Sequence, residues 1–106
     1  MKKIFIAGPY TKGDVAVNVN NHMRAHSLLM DAGFAPFNPL LFHFQHMAHP
    51  RPYEDWTKLD NEYLLVCDAV LRLSGESKGA DAEVKLARKN GIPIYYNINK
   101  LIHELH

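Results

Sequence analysis

Cysteine is nearly absent from this chain, and Cys67 stands alone. No disulfide can form within the molecule, and the setting of Cys67 in the apolar run Leu64-Leu65-Val66-Cys67 reads as a small buried hydrophobe in a reduced protein. Charge of one sign is equally scarce. Twelve Lys and Arg against eleven Asp and Glu leave a formal net charge of +1, without the basic excess or like-charge block that a nucleic acid polymer would require of its partner. No apolar run nears the roughly 20 residues that span a bilayer, and the run after Met1-Lys2-Lys3 is too short for a signal peptide core. A membrane partner is therefore not expected, and the expected location is cytoplasmic. Neither G-x-G-x-x-G nor G-x-x-x-x-G-K-[ST] occurs, which removes the standard dinucleotide and P-loop signatures, and no cofactor is expected.

What is present is one domain's worth of chain. The 106 residues, 47% hydrophobic, suit a single domain over residues 1–106 whose thin stability margin self-association would relieve. Ile4 to Ala7 form an apolar run closed by Gly8-Pro9, as in a strand buried on both faces. The apolar positions Val19, Met23, Leu28, Leu29 and Ala32 recur at near-helical spacing, with Gly33 placed to stop the helix. Phe34 to Phe37 read as a second strand whose Pro36 favours an edge, closed by Asn38-Pro39. Leu40 to Pro52 lack a period and read as a loop with room for one helical turn. Trp56, Leu59, Tyr63 and Val66 mark a helix face starting near Pro52.

Ala69 to Leu73 form a third strand, Ser74 to Gly79 a loop, Ala80 to Asn90 a helix stopped by Gly91, Ile92 to Tyr96 a fourth strand, and Asn97 to His106 a final helix. Strands alternating with helices predict a three-layer α/β fold of flavodoxin or Rossmann-like type, with a parallel sheet of four to five strands and helices on both faces. Ligands of such sheets bind at the carboxyl ends of the strands, where the first loop and the loop after strand three meet.

Two acids stand out. Glu83 falls in the first turn or so of its predicted helix, where the free N–H groups and dipole favour an anion, so it is expected to be ionised at neutral pH. An ionised carboxylate can act as a nucleophile. It can equally be an acid that merely complements the dipole, a role that Asp81 fits better. Asp60 lies between Trp56 and Tyr63; it is either a charge on a solvated helix face or a carboxyl that aromatic neighbours hold protonated. Gly8-Pro9-Tyr10-Thr11 can cradle a ligand or simply turn the chain. His43, His46 and His49 recur every third residue, unlike the four-residue step of H-E-x-x-H, so no metal site is expected, although single histidines can line a pocket mouth. Trp56 is expected in the core.

In order and spacing, IFIAGPYT (Ile4 to Thr11), DNEYLLVCD (Asp60 to Asp68), SKGADAE (Ser77 to Glu83) and GIPIY (Gly91 to Tyr95) resemble the nucleoside 2-deoxyribosyltransferase family and its nucleotide N-glycosidase relatives over nearly the whole chain. The resemblance implies an enzyme in which Glu83 attacks the anomeric carbon of a (deoxy)nucleoside or nucleotide and Asp60 assists protonation of the leaving base. It further implies Ser77 at the sugar 5′ end, a substrate-binding set of Gly8, Tyr10, Asn38, Ser77 and Gly79, and a homo-oligomer. The phosphate-gripping Ser and Arg of the nucleotide hydrolases would fall at Pro9 and Thr11, and a later segment that completes a neighbour's site in relatives would have Asn97 or Asn99 in its place. The chemistry is consistent: an oxocarbenium-like transition state needs one carboxylate facing the sugar and another group protonating the leaving atom. The alternative is a nucleotide-binding sensor or inactive relative on the same fold, with structural carboxylates.

Overall fold

A computed structural model describes all 106 residues. Four parallel strands, β1 (Lys3–Ala7), β2 (Ala35–Phe37), β3 (Ala69–Arg72) and β4 (Ile94–Tyr95), lie in the order β2-β1-β3-β4. Pro36 is accommodated because β2 is an edge strand, as its sequence predicts. The helices are α1 (Val15–Asp31), α2 (His43–Ala48), α3 (Tyr53–Leu64), α4 (Lys78–Lys89) and α5 (Ile98–Leu105), with a 3-10 turn at Pro39–Phe42 before α2. None is long and apolar enough to cross a membrane.

Alternation along the strands sorts the core into two clusters. Ile4, Ile6, Ala69 and Leu71 meet Ala25 and Leu29 of α1 and Leu101 of α5 on one face. Phe5, Ala7 and Val70 meet Leu64 of α3 with Ala80 and Ala87 of α4 on the other. Helices therefore cover both faces, in three layers. β1 connects to β2 in one direction while β3 connects to β4 in the other, so the strand order reverses between β1 and β3. At such a reversal the two following loops part and leave a crevice at the carboxyl edge.

Four sequence expectations need correction. The segment from Leu40 to Pro52 is mostly helical rather than a loop; it lacks a period because no residue of the 3-10 turn or of α2 is buried. The buried stripe of α1 is Asn18, His22, Ala25 and Leu29 rather than the predicted set, and Leu28 is exposed. The stripe keeps its i, i+4, i+7, i+11 spacing, but the two positions nearest the crevice are polar. Helix α4 starts at Lys78, because the Ser77 hydroxyl accepts from the Ala80 N–H at 3.1 Å and caps the helix there. Strand β4 is confined to Ile94–Tyr95. Gly33, with φ +88°, ends α1 as predicted.

Candidate active site

The β1–α1 loop and the β3–α4 loop meet over the crevice and hold each other closely. Gly75 has φ +118°, and a Cβ there would lie 2.9 Å from Pro9 Cγ, so glycine is required by both conformation and space. Asn18 fixes the first loop from below, its Nδ2 donating to the carbonyls of Tyr10 at 2.9 Å and Lys12 at 2.8 Å. Arg72, at the end of β3 and 8% exposed, fixes the second. Its guanidinium donates to the carbonyls of Leu73 and of Gly75, the latter at 2.9 Å, and pairs with Asp81 at 3.1 Å.

Between the loops opens a cavity of about 730 Å³, closed on a third side by α2 and α3. That volume lies within the range of roughly 300 to 1,000 Å³ usual for small-molecule sites. Asp60 reaches it from α3 and Glu83 from α4. Gly8, Tyr10, Ser77 and Gly79 also line it, so six of the seven residues singled out in the sequence converge on one space. Asn38 does not. It is 3% exposed, and its Oδ1 accepts from the Leu40 N–H at 3.1 Å, so it caps the 3-10 turn. Asn97 caps α5 by accepting from the Lys100 N–H, and Asn99 is exposed; neither lines the cavity.

Among the other lining residues, Trp56 and His22 were not anticipated, whereas histidines at the pocket mouth were. Trp56 is at the cavity rather than in either core cluster; it stacks on Phe42 with ring centroids 5.5 Å apart and donates from Nε1 to His46 Nδ1 at 2.8 Å. His43 pairs with the Tyr10 hydroxyl, joining α2 to the β1–α1 loop, and both His43 and His46 line the space. His22 lies against Gly8 beneath it. The signal for His22 was present in the sequence: it continues, four residues after Asn18, the stripe that Ala25 and Leu29 bury.

The electrostatics of the two acids differ from the sequence expectation. Glu83 is the sixth residue after its Ser77 cap, beyond the first turn in which a helix start stabilises charge. Burial pushes its pKa from 4.5 to about 8, the negative charge of Asp60 pushes in the same direction, and Arg72 pulls against both. Glu83 thus keeps its proton at neutral pH in the unliganded protein, contrary to the expected ionised state. Burial also raises Asp60, from 3.8 to about 6, and its Oδ1 is buried without a hydrogen-bond partner. Burial raises both acids and the charge of Asp60 raises Glu83 further, so the two lose their protons in separate steps, Asp60 before Glu83. Such a pair can supply one carboxylate and one carboxylic acid at the same time.

The family described as Domain of unknown function (DUF7768) matches residues 2–97. No curated protein matches the sequence. Among solved structures, the chain is similar to a 2-deoxyribosyltransferase from the psychrotolerant bacterium Bacillus psychrosaccharolyticus, a biocatalyst for nucleoside synthesis, with 20% identity, a TM-score of 0.66, and coverage of 87% of this chain and 69% of that one. It is also similar to a conserved protein from Enterococcus faecalis V583, with 18% identity, a TM-score of 0.70, and coverage of 89% and 61%. The chain therefore spans about two thirds of the length of these structures, and at such identities the likeness establishes the fold.

Proposed function

We propose, from the premise that this chain belongs to the family described as Domain of unknown function (DUF7768), that it cleaves or transfers at the N-glycosidic bond of a nucleoside or nucleotide through a glycosyl ester on Glu83. The observation that carries this reading is that Glu83 and Asp60, remote in sequence, line one cavity at the strand-order reversal, where the charge of Asp60 helps burial to raise the proton affinity of Glu83. The likeness in fold to a 2-deoxyribosyltransferase supports the same choice of substrate class.

In the reactive arrangement the proton sits on Asp60 and Glu83 is ionised, an arrangement that the Arg72 charge favours. A Glu83 oxygen attacks the anomeric carbon as the carbon–nitrogen bond breaks, and Asp60 delivers its proton to the departing base. Water or a second base then attacks the ester from the vacated side and returns a proton to Asp60, giving net retention at the anomeric carbon. Ser77 and Gly79, at the start of α4, flank the sugar, and Trp56 with Tyr10 offers aromatic surface to the base.

A second reading, a nucleotide-binding sensor, is favoured by one observation: an acid that keeps its proton to about pH 8 is a poor nucleophile at neutral pH. One experiment separates them. Incubation with deoxynucleosides, ribonucleosides and their 5′-monophosphates, followed by chromatography of free base, is expected to show release that Glu83→Ala lowers by at least a thousandfold. Equal traces of base from both proteins, with ligand still bound, would establish the sensor.

A further inference from the structure

We propose that His22 is a specificity-determining residue of this site, which accepts at Nε2 a hydrogen bond from a hydroxyl group of the bound sugar. The proposal rests on the nucleoside reading for its ligand class and on separate geometry for its residue. His22 Nδ1 lies 2.9 Å from the Asn18 carbonyl one turn earlier in α1. A carbonyl only accepts, so Nδ1 carries the hydrogen and Nε2 presents a lone pair. Burial lowers the pKa of the ring, which keeps that lone pair free.

The ring is 2% exposed, and Nε2 has no partner within the chain. Its Cε1–Nε2 edge faces Gly8: a Cβ at that position would lie 3.0 Å from Cε1 and 3.3 Å from Nε2. Glycine therefore leaves uncovered the edge through which a ligand reaches the nitrogen, and both residues line the cavity. The little surface that the ring keeps opens on the cavity, so a ligand that displaces water from Nε2 without offering a donor loses that pairing and is disfavoured. Asp60 and Glu83 are engaged at the glycosidic bond in the proposed mechanism, and Ser77 approaches the sugar from the start of α4, so His22 meets a hydroxyl from the Gly8 side of the cavity.

Nitrogen-15 spectra of the histidine rings, recorded with and without 2′-deoxyadenosine and adenosine, test the assignment without requiring turnover. Expected are a protonated Nδ1, an unprotonated Nε2, and a change at Nε2 alone when nucleoside is added. His22→Asn places an amide near Nδ1 and removes the deeper acceptor, and it is expected to weaken nucleoside binding roughly tenfold. His22→Gln restores an acceptor at the depth of Nε2 and is expected to recover most of the loss. The 3′-deoxy or the 5′-deoxy analogue should bind wild type and His22→Asn equally.

A protonated Nε2 in the free protein, nucleoside binding that leaves Nε2 unmoved, or a Gln variant no better than Asn overturns the role of His22 even if base is released. Binding that moves Nε2 without base release sustains the His22 role and defeats the glycosidic reading. Absence of binding by either nucleoside overturns both.

Discussion

Glu83 and Asp60 are costly acids to keep charged. Burial is the main cause for each, and their proximity adds to it for Glu83. The folded state therefore binds protons more tightly than the unfolded chain, so the associated stability is complete below pH 4 and is lost as pH rises through about 6 for Asp60 and about 8 for Glu83. Denaturant unfolding across this range should show stability falling with pH, and Glu83→Gln should flatten the upper part of the fall. Asp60→Asn, by deleting the like charge, should lower the Glu83 pKa yet leave it above 4.5, since burial persists; carboxyl carbon-13 titration reads this directly. A Glu83 pKa unchanged in that variant would mean that the two side chains do not interact. The joint placement of both acids at one cavity was legible through the family resemblance, since taken singly each fitted a plain helix charge equally well. Their proton affinity was not, because it depends on how deeply the folded chain buries them, and sequence position near a helix start pointed the other way for Glu83.

At the scale of elements, the legible parts are those whose burial writes a period or whose ends carry Gly or Pro. β1, β3 and the stop of α1 at Gly33 fall in this class. The 3-10 turn and α2 do not, since solvent and the cavity rather than the core face their side chains. The α1 stripe shows the third case: its spacing is regular, but a reading that counts only apolar residues passes over Asn18 and His22, which are buried because they hold the crevice end. Asn18 bonds two carbonyls of the β1–α1 loop at once. Asn18→Ala leaves both without that donor, and the expected cost is about 1 to 3 kcal/mol, with faster amide exchange concentrated in residues 10–14. Exchange that accelerates evenly over the whole of α1 would show instead that Asn18 supports the helix and not the loop.

The arrangement of the whole molecule follows from the reversal of strand order, which sends α1 and α5 to one face and α3 and α4 to the other. Alternating strands and helices made that layering readable in advance, whereas the cavity required knowing which loops the reversal separates and which helices close its side. One consequence concerns α5, an eight-residue helix whose Leu101 is 0% exposed within the core cluster of Ile4, Ile6 and Leu29, with Ile98, Ile102 and Leu105 partly buried against the same cluster. Isolated helices this short are not stable in water, so α5 persists through this packing, in which Leu101 is the fully buried member. Leu101→Ala should therefore cost about 2 to 5 kcal/mol, a large share of the roughly 5 to 15 kcal/mol typical of a folded domain. Leu101 does not line the cavity, and the remaining folded molecules should bind nucleoside with unchanged affinity. The contrast with His22→Asn is then diagnostic. A lower denaturation midpoint with unaltered binding marks the face that holds the sheet, and weakened binding with a retained midpoint marks the edge that meets the ligand. Should Leu101→Ala weaken binding in proportion to its loss of stability even under conditions where the protein is fully folded, the two faces of the sheet are coupled and the cavity is shaped from beneath as well as from its rim.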